Sequence, residues 1–383
     1  MMWEIAKLGD ISKNIQTGPF GSQLHQSDYS ECGTPVVMPK DLVGGKISEE
    51  SIARVDKTHV ERLCRHKIEV GDILYSRRGD VGRCAHVTKK EEGWLCGTGC
   101  LRVTIDSEKA DSRFVFFQLQ HPDTVGWVEK HAVGATMLNL NTTILSSVPI
   151  RLPALEIQKR IADILSAYDD LIENNQKQIK LLEEAAQRLY KEWFVDLRFP
   201  GHENTKIVDG VPEGWSRTNI NGILTFHRGY DLTKNEMKAG RYPVIGSTSI
   251  IGYHNEFKIK GPGIVTGRSG SLGKYQLVWD DFWPHNTSLY ISDYKDHNIF
   301  FVYRLLQTVD FASLNNGGAI PTLNRNVLSN IEVIEPTDEL QEMFAKIAEP
   351  QYQKIKNLEK QNNQLKMARD ALLPKLMSGE VEV

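Results

Sequence analysis

The string "LNTTILSSVPIRLPALEIQKRIADIL" occupies Leu140–Leu165, and "LNRNVLSNIEVIEPTDELQEMFAKIA" occupies Leu323–Ala348, at a constant offset of 183 residues without a gap. Leu145 aligns with Leu328, Ser146 with Ser329, Pro153 with Pro336, Glu156 with Glu339, Gln158 with Gln341, Ala162 with Ala345 and Ile164 with Ile347. The correspondence extends backwards with a drifting offset, as it must where loops differ in length. "GDILYSRRGDVGR" (Gly71–Arg83) resembles "PGIVTGRSGSLGK" (Pro262–Lys274), with Arg77/Arg268, Gly79/Gly270, Gly82/Gly273 and Arg83/Lys274 in register. "WEIAKLGDI" from Trp3 has a fainter echo in "WSRTNINGI" from Trp215. A period this long predicts two duplicated domains and excludes a solenoid of short repeats.

Beyond Pro153 the apolar pattern becomes helical. Ile161, Leu165, Tyr168, Ile172, Asn175, Ile179, Leu182, Ala186, Leu189 and Trp193 step alternately by four and three, the period of a coiled-coil seam. Displaced by 183 residues, Phe344, Ala348, Gln351, Ile355, Leu358, Asn362, Leu365, Arg369, Leu372 and Leu376 repeat the register with a poorer seam. Pro350 and Pro374 are expected to perturb this second helix, one near its start and one at its end. A helix over Ile157–Arg198 would measure about 60 Å. The link "FPGHENTKIVDGVPEG" (Phe199–Gly214) spans at most about 55 Å when fully stretched, so a return to the starting end leaves no slack. Antiparallel pairing needs no return. The predicted fold is mixed α+β (α/β in content): two similar globular domains separated by two long helices that form an antiparallel coiled coil. An internal pseudo-twofold axis relates the halves, and the helices act as a ruler. The expected boundaries are 1–152 for the first domain, 153–199 for the first helix, 200–335 for the second domain, and 336–383 for the second helix and tail.

Composition narrows the function. With 40% hydrophobic and 25% charged residues the chain has ordinary globular content. No apolar run approaches the roughly 20 residues of a membrane span, and "MMWEIAKLGD" has no signal-peptide core, which points to a cytoplasmic location. The five cysteines, Cys32, Cys64, Cys84, Cys96 and Cys100, all lie in the first half. A disulfide framework or metal site would be needed in both copies, so reduced structural thiols and no metal are expected, although Cys64, His66, Cys96 and Cys100 include zinc-ligand types.

The formal net charge is −3, yet Thr225–Val278 holds eight Lys or Arg residues against Asp231, Glu236 and Glu256. Arg62, Arg65, Lys67, Arg77, Arg78 and Arg83 form a smaller concentration in the first half, partly offset by acids. A local basic face of this kind suits phosphates even when acidic helices bring the total near zero. Two such domains related by a twofold suit duplex DNA, and because the halves have diverged, the two half-sites should differ.

These residues match a known family. "VPEGW" (Val211–Trp215) opening the second domain, "LPALEIQKRIADIL" opening the first helix, "KEWFVDLRFPG" closing it and "LLPKLMSGEVEV" ending the chain resemble the specificity (S) subunit of type I restriction-modification systems over essentially the full length. "TGPFGSQLHQSDY" followed by "GTPVVMPKDL" resembles one version of that family's first target recognition domain. "PTDELQEMFAKIAEP", with Pro350, is a weaker match at the second helix. The resemblance implies a DNA-reading subunit whose two target recognition domains each choose half of an asymmetric bipartite site. It also implies two methyltransferase (M) subunits that dock on the helices and methylate adenine with S-adenosylmethionine. Restriction (R) subunits would add ATP- and magnesium-dependent translocation and cleavage.

The residues support that division of labour. No N-P-P-[YF], D-P-P-[YF] or F-x-G-x-G motif occurs. In "GRSGSLGKY" the glycine position of a phosphate loop holds Arg268 and the Ser/Thr position holds Tyr275, so those glycines are expected to shape a hairpin. No cofactor is expected in this chain. Base edges call for Arg to guanine, Asn or Gln to adenine and Ser or Thr to either, while Lys holds phosphates. The DNA-contact candidates are Gln16, Ser22, Gln23, Lys40, Ser76, Arg77, Arg78 and Arg83 in the first domain. In the second they are Arg228, Ser247, Thr248, Arg268, Ser269 and Lys274. Arg77 and Arg268 lead because they precede equivalent glycines. Asn139, Asn141 and Asn324 are read as caps or turns into the helix, Asn175 as a register-fixing residue of the seam, and Trp193 and Phe194 as core or as a docking surface for the M subunit. Two other classes remain: a non-catalytic coiled-coil adaptor with two protein-binding ends, and an enzyme with two similar active sites.

Overall fold

Packing divides the chain into two units, Met1–Glu173 with Asn362–Val383, and Asn174–Gln361. The computed structural model describes residues 3–20, 23–134, 138–268, 273–309 and 331–383. Ser22, Ser269, Gly270 and the segment 323–330, with Asn324, Leu328 and Ser329, lie outside the described residues.

The two units have the same strand order. The first contains a four-stranded antiparallel sheet in the order Ser12–Thr17, Cys100–Ile105, Ile73–Ser76, Cys84–His86. The second contains Thr225–Arg228, Ser288–Asp293, Gly263–Gly267, Tyr275–Val278 in the matching order. The register shifts at the same end of the equivalent strand pair, but the extra residue lies on the first strand in one unit, at Lys13, and on the second strand in the other, at Ser292. A second sheet in each unit has a parallel pair, Thr34–Val37 with Leu95–Cys96 and Tyr242–Ile245 with Trp283–Pro284. A two-stranded sheet joins the start of each unit to its repeat string, pairing Glu4 with Leu152 and Ser216 with Glu335.

A short helix comes next after the second strand of the four-stranded sheet in each unit. Ser112–Gln120 is capped by Asp111, whose carboxylate accepts from the Arg113 and Phe114 amides, and Ile299–Thr308 by Asn298, which accepts from the Phe300 amide. Such side chains satisfy amides that the first turn leaves without partners. Asn141 does the same for Thr142–Ser146, accepting from the Ile144 amide at 2.8 Å, as its cap reading expected. Asn139 instead exchanges two backbone bonds with Val133. Asn141→Ala is expected to lower the stability of the first unit by about 1 kcal/mol, measured by urea denaturation.

The repeated Gln and Pro have a shared structural role. Gln158 Nε2 donates to the Pro153 carbonyl at 2.8 Å, and its Oε1 accepts from the Asp111 amide at 3.0 Å. In the second unit Gln341 Nε2 donates to the Pro336 carbonyl at 3.1 Å, and its Oε1 meets His297 Nδ1 at 3.1 Å. Both side chains are buried. Each ties the start of a long helix to the entry of the short one, and burial makes such bonds costly to lose.

The first long helix runs Leu155–Tyr190 and closes in a π-helical turn, Lys191–Val195; the second runs Asp338–Ser378. Their pairing is antiparallel within each unit. In the first unit Asp169 is ion-paired with Arg369, and Arg160 donates to the Val383 carbonyl at 3.3 Å. In the second, Asn175 Nδ2 donates to Gln361 Oε1 at 3.2 Å, and the Tyr190 ring meets Phe344 edge-on at 5.8 Å. Residue numbers rise on one helix as they fall on the other. The seam positions Ile161, Leu165, Ile172, Asn175 and Ala186 are buried, as are Phe344, Ala348, Ile355, Leu358, Asn362 and Leu376.

One sequence expectation is corrected. The second helix continues through Pro350 and Pro374. A proline inside a helix costs about 3 kcal/mol, but Phe344, Ala348, Tyr352 and Ile355 are all buried around Pro350 and carry the helix onward. The start of the first long helix and the end of the second pack on the first sheet, because Ile161, Ala162, Leu165, Leu376 and Met377 share a core with Ile73, Leu101 and Phe114. Of the two readings of Trp193 and Phe194, the structure meets the core one: each is 8% exposed, and both rings pack on Phe344.

Among the described residues no helix is long and apolar enough to cross a membrane, and no three His, Cys, Asp or Glu side chains cluster as a metal site. Burial pushes the Cys84 and Cys96 thiols up to about 12, so both stay protonated at neutral pH, while Cys32 and Cys64 are exposed.

Candidate nucleic-acid interface

Among the described residues, Gln16, Arg77, Arg78 and Arg83 in the first unit and Arg228, Arg268 and Lys274 in the second lie at one end of the four-stranded sheet. In the second unit Thr225–Arg228 ends beside Leu289 and Gly263–Gly267 ends beside Ser288, while Tyr275–Val278 begins opposite Thr266. Arg228, Arg268 and Lys274 are therefore carried to the same edge. Ser247 joins them through Oγ, which donates to the Thr287 carbonyl at 2.7 Å, and Thr248 follows it, exposed. The strands that flank the "GRSGSLGKY" stretch, Gly263–Gly267 and Tyr275–Val278, pair antiparallel, and residues 269–272 between them lie outside the described residues.

The first unit repeats the arrangement. Arg77 donates its backbone amide to the Gly99 carbonyl at 2.8 Å, and Arg268 donates to the Thr287 carbonyl at 3.0 Å. Gly99 and Thr287 each precede the second strand of the sheet, so the two arginines occupy equivalent positions. The equivalent turn glycines Gly18 and Gly229 also match: their amides donate to Cys100 and Ser288 carbonyls at 2.9 and 3.1 Å. A Cβ on either would collide with a backbone carbonyl, of Gly97 or His285. This matched pair escaped sequence reading, because a glycine needed for close approach leaves no periodic signal.

Side-chain partners divide the candidates. Ser76 is 1% exposed, and its Oγ donates to the Arg78 carbonyl at 3.1 Å, so it builds the turn and does not face outward. Gln16 Nε2 donates to the Arg65 carbonyl at 2.7 Å, and Lys40 Nζ to the Ser51 carbonyl at 2.8 Å. Arg83 is held by Asp80 at 2.6 Å, while Arg228 lies 3.8 Å from Asp231. Arg78, Arg268 and Lys274 have no acidic partner among the described residues, and Arg78 and Lys274 are exposed. Arg77 is half-buried with its Nε unpartnered, as is the Oε1 of Gln23. Exposed or unpartnered cations at one edge suit phosphate and base-edge contact.

A second group at the edge of the second unit was not anticipated. Tyr230 Oη hydrogen-bonds Tyr290 Oη at 2.9 Å, and the Lys258 ammonium lies 4.7 Å from the Trp283 ring centre. His285 Nε2 meets the Leu232 carbonyl at 3.2 Å, and Nδ1 meets Thr287 Oγ1 at 2.9 Å. These contacts stiffen the turn that carries Thr287, to which both Arg268 and Ser247 are bonded.

The family model for the type I restriction modification DNA specificity domain matches residues 2–184 and 212–367. The chain belongs to this family. It is 26% identical to the type I restriction enzyme MjaIX specificity subunit of Methanocaldococcus jannaschii, covering 100% of this chain and 94% of that protein. It is 23% identical to the HindI specificity subunit of Haemophilus influenzae, covering 99% of each. Its fold is shared with the crystal structure of the type I restriction-modification S subunit from M. genitalium, with a TM-score of 0.64 at 19% identity, covering 98% of this chain and 96% of that one. As in the family model, which matches twice along the chain, the specificity fold here is duplicated.

One buried and one half-buried histidine give the first unit of this specificity-family chain a pH dependence. His66, beside the Gln16 strand, is held down at about 4 by burial above all, and then by Arg65 and Arg102; burial also holds His86 at about 4. In the unfolded chain both return to about 6.5. The unfolded state therefore binds more protons between those values, so the contribution is complete above about pH 6.5 and is lost as pH falls towards 4. The melting temperature of the first unit is expected to drop across that window, and His66→Gln should flatten the drop. A profile unchanged by the substitution would refute the assignment.

Proposed function

We propose that this chain is the DNA-reading subunit of a type I restriction-modification complex and catalyses nothing itself. Residues 1–152 and 200–335 read double-stranded DNA, each choosing one half of an asymmetric bipartite site. The helices within 153–199 and 336–383 separate them and dock two methyltransferase subunits, to which restriction subunits add. S-adenosylmethionine belongs to the methyltransferase, and ATP and magnesium to the restriction subunits, so this chain needs no cofactor of its own. Reading chromosomal DNA places it in the cytoplasm.

The observation that carries this reading is the recurrence of one loop cluster, with Arg77 and Arg268 in equivalent backbone positions. The side chains around them differ: Gly18 is followed by Pro19 and Phe20, Gly229 by Tyr230 and Asp231. A shared scaffold with divergent groove-facing groups is what two unlike half-sites require, since phosphate contacts position and base contacts specify.

Methylome sequencing of cells with and without this chain, in the presence of its methyltransferase partner, tests the function. Loss of a single bipartite adenine mark is expected. No change in any mark would favour the adaptor, and methyl transfer or cleavage by the purified chain alone would establish an enzyme.

A further inference from the structure

The turn after the first strand of the four-stranded sheet presents an aromatic ring to the outside of the fold. Gly18 is pressed against Gly97, and its amide donates to the Cys100 carbonyl at 2.9 Å. Pro19 is buried, its ring restricts φ, and its carbonyl accepts from Thr98 Oγ1 at 2.9 Å. The Phe20 carbonyl in turn accepts from the Gln23 amide at 3.3 Å. A backbone held at three successive residues has little freedom left, yet it displays Phe20 with 57% of its surface exposed.

Its neighbours place the ring inside the candidate interface. Thr98 anchors this turn, and the next residue, Gly99, accepts the Arg77 amide at 2.8 Å. Pro39 lies beside Gly99, within 3.1 Å of where a Cβ would stand, which brings Lys40 to the same edge. An exposed apolar ring at the strand end that also carries Arg77 has one apolar target on the face of duplex DNA, the C5-methyl group of thymine in the major groove. A wedge driven between base pairs needs both ring faces free. Phe20 is nearly half covered, which suits lateral contact with a base edge and not insertion. The second unit also mixes apolar with polar groups at its edge, where Ile250 and Ile251 are 48% and 47% exposed beyond Thr248.

We propose that Phe20 reads the C5-methyl of a thymine in the half-site of the first unit, an assignment that rests on the DNA-reading function above. The test uses the full chain assembled with its methyltransferase partner and duplexes carrying the site found by methylome sequencing. Each thymine of that half-site is replaced in turn by deoxyuridine. At one position the wild-type complex should lose about fourfold in affinity, the factor that burial of one methyl group confers. Phe20→Ala should bind thymine and deoxyuridine duplexes equally, with the other half-site read as before, and Phe20→Leu should retain part of the discrimination. Indifference of the wild type to every methyl, or discrimination that survives Phe20→Ala, would overturn the assignment. So would 2-aminopurine fluorescence at the neighbouring step that rises with the wild type alone, since that marks a wedge. A wild-type complex with no sequence preference at all would instead remove the DNA-reading function itself, and this assignment with it.

Discussion

Phe344→Ala is expected to lower the stability of the second unit by about 3–5 kcal/mol, the range for truncating a buried aromatic side chain. Phe344 is fully buried. Its ring meets Phe194 at 5.5 Å, Tyr190 at 5.8 Å and Trp193 at 6.4 Å, all in edge-on geometry. Alanine removes three ring contacts together and opens a void between the paired helices and the helix Ile299–Thr308, whose Phe301 packs on the same Tyr190 and Phe194 rings. Close-packed aromatic walls relax little, so the cavity cost adds to the lost transfer free energy. Urea denaturation followed by tryptophan fluorescence should show the loss as a lower midpoint with the slope preserved. A change under about 1 kcal/mol would mean that the cluster collapses readily and does not anchor the helix pair.

Arg268→Ala should weaken recognition of one half-site by about 1–3 kcal/mol while leaving the other unchanged, if its guanidinium grips guanine through two bonds. The backbone of Arg268 is fixed by Thr287, which is itself held by His285 and Ser247, so the side chain starts from a set position. Arg268→Lys should recover little, because an ammonium lacks the planar fork. Lys274→Ala provides the contrast. An exposed cation on a phosphate weakens all sequences alike and lowers the salt slope by about one. Competition binding across a salt series, with each half-site mutated separately, distinguishes the two. Uniform loss for Arg268→Ala would demote that residue to a phosphate contact.

The repeat was legible in the sequence because its residues answer to geometry that both copies share. Gln158 and Gln341 align since each must reach the carbonyl of the proline before its helix, and Pro153 and Pro336 align for the same reason. The seam was legible because a 3.5-residue period is a property of the helix itself. Pro350 and Pro374 misled, since local propensity counts the lost hydrogen bond but not the burial on either side of it. Of the candidate contacts, Arg77 and Arg268 matched in space as well as in sequence, whereas Ser76, Gln16, Lys40 and Arg83 are engaged by Arg78, Arg65, Ser51 and Asp80. No spacing rule foretells such partners, because most lie across the fold or depend on how a turn closes.

By itself the sequence determined the duplication, the two long helices and their antiparallel sense, since periodicity and chain reach are local and additive quantities. Tertiary structure alone decided which polar groups remain free to meet a ligand: a hydroxyl or guanidinium is available only when no neighbour brought close by packing has already satisfied it.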